Sequence, residues 1–353
     1  MILRSSLNSF NNRISQLRTQ LETNKCHDKL FLFGKRNNKR HYKYVREAVG
    51  TLRRNNSNEK IQRYISNIIG LYGALENFIE SLIDEVVDNL NIYIRNSNGL
   101  PEAITNNYLL NSIDIIRKAE NLGKLKNLKK LDVIESVYNT INKNNSSLIP
   151  ELFYNIGGGN YRFDVICECF VNLGFKNIGT QIQSMEPCAS LLRRLYGDTY
   201  KSLPQSTLYR LIDDLVDRRN DISHGEMSIS IINDSEFEKY VDFLEKFSLS
   251  ICSYLRAEMA GYIWNYSHSP KLSIKETFRN NTIIIIRTIT ERFKIGDWLA
   301  CKYGGTSPSY CFRKIISIQV DNVNYDEYYC AITTNIGLQL DDKVNKNTSI
   351  MKL

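Results

Sequence analysis

The sequence predicts an α+β, multidomain fold: a mainly α-helical bundle followed by a small antiparallel β-barrel at the C-terminus. Three observations predict it. Before about residue 266, long segments carry apolar residues at the three- and four-residue spacing of one helical face. After Ser267-His268-Ser269-Pro270 the composition changes to short β-branched and aromatic runs separated by Gly, Asn and Asp. A length of 353 residues with 42% hydrophobic content suits two or three soluble domains with a sizeable core. The expected divisions are 1–56, a helical and basic extension packing on the bundle, then 57–265, the bundle, and 271–353, the barrel.

Taken in order, residues 8–22 form an amphipathic helix with Phe10, Ile14, Leu17 and Leu21 on one side. The stretch 35–54 follows, with Lys35, Arg36, Lys39, Arg40, Lys43, Arg46, Arg53 and Arg54 among aromatics. Such a stretch suits an RNA backbone with unstacked bases, and equally a solvated surface. Residues 61–90 carry the widest apolar face in the chain, from Ile61 to Val86. Glu76, Glu80, Asp84 and Asp88 recur every four residues along it as an acidic ridge. Shorter helices are expected at 105–119, 129–141, 162–173 and 186–196. Gly157-Gly158-Gly159 reads as a turn, because the Lys-Ser/Thr of a phosphate loop does not follow it. A capping box with Ser235 as N-cap and Glu238 three residues on opens the helix that runs to about Met259. Strands are expected at 282–288, 298–303, 312–320, 328–333 and 336–340.

The formal net charge of +8 leans towards a polyanionic partner. Eight cysteines occur without a C-x-x-C pair or histidines at ligand spacing, so free thiols and no metal or cofactor are expected. The N-terminal residues lack a signal-peptide core, and the longest aliphatic run, 283–286, is too short to span a bilayer. A cytoplasmic protein that does not engage the membrane is the expectation.

The chemistry concentrates in 206–226. Leu208, Leu211, Ile212, Leu215 and Val216 share a helical face, and one more turn of that face reaches Arg219. Arg218 follows Asp214 by four residues, the spacing of a surface ion pair. A guanidinium aimed along an apolar stripe needs an anion to meet it. His224 comes five residues later, ahead of Gly225, a usual helix stop. Five residues turn a helix by about 500°, so Arg219 and His224 do not share a face of one straight helix. Either the helix breaks at Asn220-Asp221 or two copies of the segment face each other. Both arrangements gather an arginine, an amide and a histidine, which is equipment for phosphoryl transfer without a metal.

Arg219-Asn220-Asp221-Ile222-Ser223-His224 resembles the R-x4-6-H motif of the HEPN superfamily, flanked as there by long helices on both sides. The resemblance implies a helical bundle that dimerises and a metal-independent endoribonuclease, used by toxin and antiphage systems. It implies that Arg219 grips the scissile phosphate and His224 transfers the proton for attack by the 2′-hydroxyl. Asn220 would orient the phosphate or the histidine, and Glu76 is the candidate acidic helper if its ridge does not simply face water. Arg218, Lys39 and Arg40 are candidate substrate contacts. A non-catalytic adaptor that binds RNA or protein is the alternative the same resemblance allows. The order 293–299, 314–319, 335–340 is similar to the second-domain barrel of translational GTPases, which implies contact with RNA or a translation component. Expected partners are therefore RNA, transfer RNA included, a second copy of the chain, and an antitoxin or regulatory protein.

Overall fold

The computed structural model describes residues 3–36, 43–94, 100–118, 128–142, 147–155, 160–225, 230–288, 290–305 and 309–353. Ten helices precede nine strands among them. Lys39, Arg40 and Gly157–Gly159 lie outside the described residues.

Two long helices, α1 (Ser5–Arg36) and α2 (Lys43–Tyr93), pair along the expected stripe. Phe10, Ile14, Leu17 and Leu21 are all buried, with the Phe10 ring 4.9 Å from that of Phe78. Both helices outrun the reading from periodicity, and α2 spans residues on either side of 56/57. The hairpin α3 (Glu102–Lys118) and α4 (Lys130–Ile141) follows, then α5 (Phe163–Asn172), α6 (Ile178–Ile182), α7 (Cys188–Tyr196) and the single turn α8 (Gln205–Leu208).

The chemistry-bearing segment is two helices, not one. It breaks at Tyr209 between α8 and α9 (Arg210–His224). Tyr209 is fully buried, donates to the Gly179 carbonyl at 2.7 Å and stacks on Phe163 at 3.8 Å between ring centroids. Fixing that side chain breaks the helical phase at its own position.

The last helix, α10 (Asp234–Tyr266), begins two residues before the expected start. Asn233 is the N-cap: its side chain accepts from the Glu236 N–H at 2.9 Å, and Glu236 accepts from the Asn233 N–H at 3.0 Å. Ser235 instead donates to the Asn233 side chain. Both S/T/N-x-x-E frames occur here, and the asparagine takes the cap. Phe243, Phe247, Ile251 and Leu255 place α10 at the centre of the bundle, each burial stabilising by about 1.5–3 kcal/mol.

The strands are β1 (Lys271–Phe278), β2 (Ile283–Thr288), β3 (Arg292–Lys294), β4 (Trp298–Tyr303), β5 (Tyr310–Val320), β6 (Val323–Tyr325), β7 (Glu327–Tyr329), β8 (Thr334–Leu340) and β9 (Thr348–Lys352). Six of them close a barrel in the order β4-β9-β1-β2-β8-β5, with β5 returning to β4, every pair antiparallel. A register shift between Ile315 and Ser317 lets the eleven-residue β5 serve both β4 and β8. Asp321 and Asn322, both at positive φ, turn β5 into β6. The interior holds Ile284, Ile286, Leu299, Ile315, Ile336, Leu338 and Ile350. Strands β1 and β9, which close the barrel, did not stand out in the sequence, because each carries polar residues on its outer face.

The barrel is not a free appendage. Ala300, Phe312 and Met351 are buried in the bundle's own core, with Trp298 and Tyr310 packed against it. Among the described residues no helix is long and apolar enough to cross a membrane.

Candidate active site on the motif helix

α9 is continuous through Asn220-Asp221, so the helix break is not how Arg219 and His224 come together. The helix ends at Gly225, whose φ of 73° is the left-handed conformation of a helix stop. Within one chain the two side chains leave α9 about 140° apart.

One face of α9 is held by the segment before α5. Asp213 accepts from the Phe163 N–H at 2.9 Å, Asp217 pairs with Arg162, and Asn220 accepts from the Asn160 amide at 2.9 Å. Positions 213, 217 and 220 follow the helical repeat, so three side chains on one stripe fasten a four-residue segment. That docking positions Arg219. Its Nη1 donates to Asn160 Oδ1 at 3.2 Å and to Asn220 Oδ1 at 3.1 Å. Its guanidinium lies 5.1 Å from the centroid of the Tyr72 ring, an attractive cation–aromatic contact. The Tyr72 hydroxyl donates to Asn160 Oδ1 at 3.4 Å and accepts from the Tyr161 N–H at 3.3 Å. Arg219 is half-buried, with neutral amides and a ring face in contact with it. This arrangement orients the charge without neutralising it.

The two neighbouring arginines sit opposite to expectation. Arg218 is the buried one, 8% exposed. Its Nε donates to Asp214 Oδ2 at 2.7 Å, as the spacing indicated, and to the Tyr240 hydroxyl at 3.3 Å. Its Nη1 donates to the Tyr64 hydroxyl at 3.2 Å and the Ser230 carbonyl at 2.8 Å. Burial opposes the charge, but the hydrogen bonds to Tyr64, Asp214 and Tyr240 outweigh it and hold the guanidinium above its ordinary pKa. The arginine of this ion pair is therefore a core residue, while its aspartate keeps contact with solvent. The segment leading into α10 closes over this side of α9, which the spacing of leucines alone does not reveal.

His224 is exposed on the last turn of α9. Glu76 is half-buried on α2, one turn beyond Tyr72, whose ring meets Arg219. Of the rest of the acidic ridge, Asp88 is exposed, whereas Glu80 and Asp84 do not simply face water. Glu80 accepts from the Tyr161 hydroxyl at 3.0 Å and Asp84 from the Tyr154 hydroxyl. Burial raises the Asp84 carboxyl above the usual carboxylate range. Burial also pushes the Tyr161 and Tyr154 phenols up. No group of three or more His, Cys, Asp or Glu that could hold a metal ion occurs among the described residues. All eight cysteines are free.

Sequence reasoning missed Asn160 and Tyr72. Asn160 follows three glycines in the sequence and carries no periodic signal, and Tyr72 counts as one more apolar residue of the α2 face. Their placement beside Arg219 is purely tertiary.

No curated protein matches the chain. A family model described as RiboL-PSP-HEPN matches residues 35–257, more than half of the sequence, and spans α2 through most of α10. The chain, with its motif helix inside the match, belongs to the RiboL-PSP-HEPN family.

Proposed function

We propose that this chain is a metal-independent endoribonuclease of the HEPN type, acting in the cytoplasm as a homodimer. The single observation that supports this best is Arg219 held half-exposed by Asn160, Asn220 and Tyr72, on the same helix as the exposed His224. Because the two side chains leave α9 in different directions, a second copy would complete the site, Arg219 of one protomer acting near His224 of its partner. His224 takes the proton of the RNA 2′-hydroxyl. The 2′-oxygen bonds to phosphorus, the bond to the 5′-oxygen breaks, and that oxygen takes up a proton from the solvent. A 2′,3′-cyclic phosphate and a 5′-hydroxyl result. Arg219 stabilises the charge that develops on the phosphoryl oxygens. Asn220 acts by orienting Arg219, and Glu76 is the further helper on α2.

On this reading the protein is a toxin or antiphage effector cutting cellular RNA, transfer RNA first among the substrates to test, under the restraint of an antitoxin or regulatory protein. The barrel contributes contacts to RNA or to a translation component. We take 57–265 as the bundle and 271–353 as the barrel, with 1–56 as an extension that runs into the bundle through α2. Purified protein incubated with total RNA in excess chelator is the test. Cleavage should proceed, and Arg219→Ala and His224→Ala should each abolish it while the fold persists. Full dependence on added magnesium, or unchanged cutting by both variants, overturns the proposal.

One observation favours a second reading, a non-catalytic adaptor that binds RNA or protein. Arg219 already has hydrogen-bond acceptors inside its own chain, and His224 is about 140° away from it around α9. Gel retardation of RNA without shortening would select the adaptor.

A further inference from the structure

Two cysteines face each other across neighbouring strands of the barrel. Cys301 on β4 and Cys311 on β5 are register partners in an antiparallel pair, and both thiols are free. Directly opposed residues share one face of the sheet and hold their Cα atoms about 4.5–5.5 Å apart, inside the range that a disulfide spans. Cys301 is fully buried, and its thiol donates to the Leu299 carbonyl at 3.9 Å. Cys311 is half-buried and lines a cleft of about 440 Å³ where the bundle meets the barrel, which gives a small solute a way to its sulfur. The Cys311 thiol donates to the Tyr303 hydroxyl at 3.3 Å. That hydroxyl donates to the Lys343 carbonyl at 3.2 Å and accepts from Arg313 Nη2 at 3.1 Å. Arg313 is held in turn by the Lys343 and Phe312 carbonyls and by Asp342. Tyr303 and Arg313 are thus fixed where negative charge on Cys311 would form, and the hydroxyl turns its proton from Lys343 to the sulfur when the thiol ionises.

The hydrogen bond with Cys301 does most to lower the Cys311 pKa, and with the Tyr303 hydroxyl and the Arg313 charge it outweighs burial and the Asp342 carboxylate. The same pairing, together with burial, holds the Cys301 thiol above its ordinary value. Burial pushes Cys167, Cys169, Cys188, Cys252 and Cys330 up, so those thiols are poor nucleophiles. We propose that Cys301 and Cys311 are a peroxide-sensitive dithiol that closes to a disulfide between β4 and β5. The Cys311 thiolate attacks one oxygen of hydrogen peroxide, the O–O bond breaks, and the other oxygen leaves and takes up a proton to form water. Cys311 is then a sulfenic acid. The Cys301 sulfur bonds to that of Cys311, the S–O bond breaks, and the departing hydroxyl carries off the Cys301 proton as a second water. The two thiols lose two electrons and the peroxide gains them. The new bond lies between Tyr310, whose ring comes against Gly261 of α10, and Phe312, which is buried in the bundle's core. It therefore ties β4 to the strand that seats the barrel on the bundle. The proposal does not rest on the nuclease reading.

Peptide mass spectrometry of the full chain tests it, after treatment with a small excess of hydrogen peroxide and blocking of the remaining thiols. Peptides carrying Cys301 and Cys311 should appear joined, with the loss of two hydrogen atoms, in nearly every chain, and dithiothreitol should separate them. In Cys301→Ser, Cys311 should stop at the sulfenic acid and be trapped by dimedone. In Cys311→Ser, Cys301 should stay a thiol. Tyr303→Phe keeps the ring and removes the hydroxyl, so it should slow closure by about threefold or more. That variant keeps the test decisive if the cysteine variants fail to fold. Cys301 and Cys311 still unlinked when the exposed Cys26 is fully oxidised overturns the proposal. So does Cys311 joined to any cysteine other than Cys301, or an undiminished rate of closure in folded Tyr303→Phe.

Discussion

Arg218 and Arg219 are adjacent, carry the same charge and do different work. Arg218 is enclosed by Tyr64, Tyr240, Asp214 and the Ser230 carbonyl, so replacing it by alanine takes the cation from Asp214, which keeps the Tyr240 hydroxyl, and removes this partner from Tyr64 and the Ser230 carbonyl. Breaking a fully buried pair costs about 3–5 kcal/mol, and the 38% exposure of Asp214 places this one at or below the low end. Arg218→Ala should therefore lower the melting temperature clearly. Arg219→Ala should leave it almost unchanged and remove only cleavage, a split that thermal melts and an RNA assay read side by side. Asp84 carries a second prediction. Its folded-state pKa is raised, chiefly by burial, so the folded state favours the protonated carboxyl. Stability attached to this group is full below the ordinary carboxylate pKa and is lost as pH rises through the raised value. Asp84→Asn, which can still accept from Tyr154, should melt at a higher temperature than the wild type at pH 7. The gap should close towards pH 3, and a constant gap across that range would reject the assignment.

At the scale of elements, the placement of α9 decides what the motif can do. Its stripe of Asp213, Asp217 and Asn220 is spent on the segment 160–163, and the end of the helix is fixed by Gly225. A Cβ at residue 225 meets nothing within 4 Å, so the cost of a side chain there is the left-handed backbone alone. Gly225→Ala should destabilise by about 1–2 kcal/mol, measurable by denaturant titration. It should also impair cleavage more than that loss explains, because His224 sits on the turn that this glycine ends. The helices were legible where a stripe of Phe, Ile and Leu runs uninterrupted, as in α1, α2 and α10. They were misread where a fixed side chain resets the phase, as Tyr209 does, or where two capping frames overlap, as at Asn233 and Ser235. The strands β1 and β9 escaped because a barrel strand needs only one apolar face, and theirs is short.

On the scale of the whole molecule, bundle and barrel share one apolar core through Ala300, Phe312 and Met351. Calorimetry of the full chain should accordingly show one cooperative transition; two well-separated transitions would mean that the shared core contributes little. The sequence by itself determined the fold class, the extent of the main apolar faces and the position of an arginine and a histidine near the end of one helix. Those properties are local, since periodicity, caps and turn residues act over a few residues. Tertiary structure alone decided which arginine is buried and that Asn160 and Tyr72 hold the other. Each of these depends on distant segments packing together. A hydrogen bond between residues 160 and 219 leaves no periodic trace in the chain that forms it.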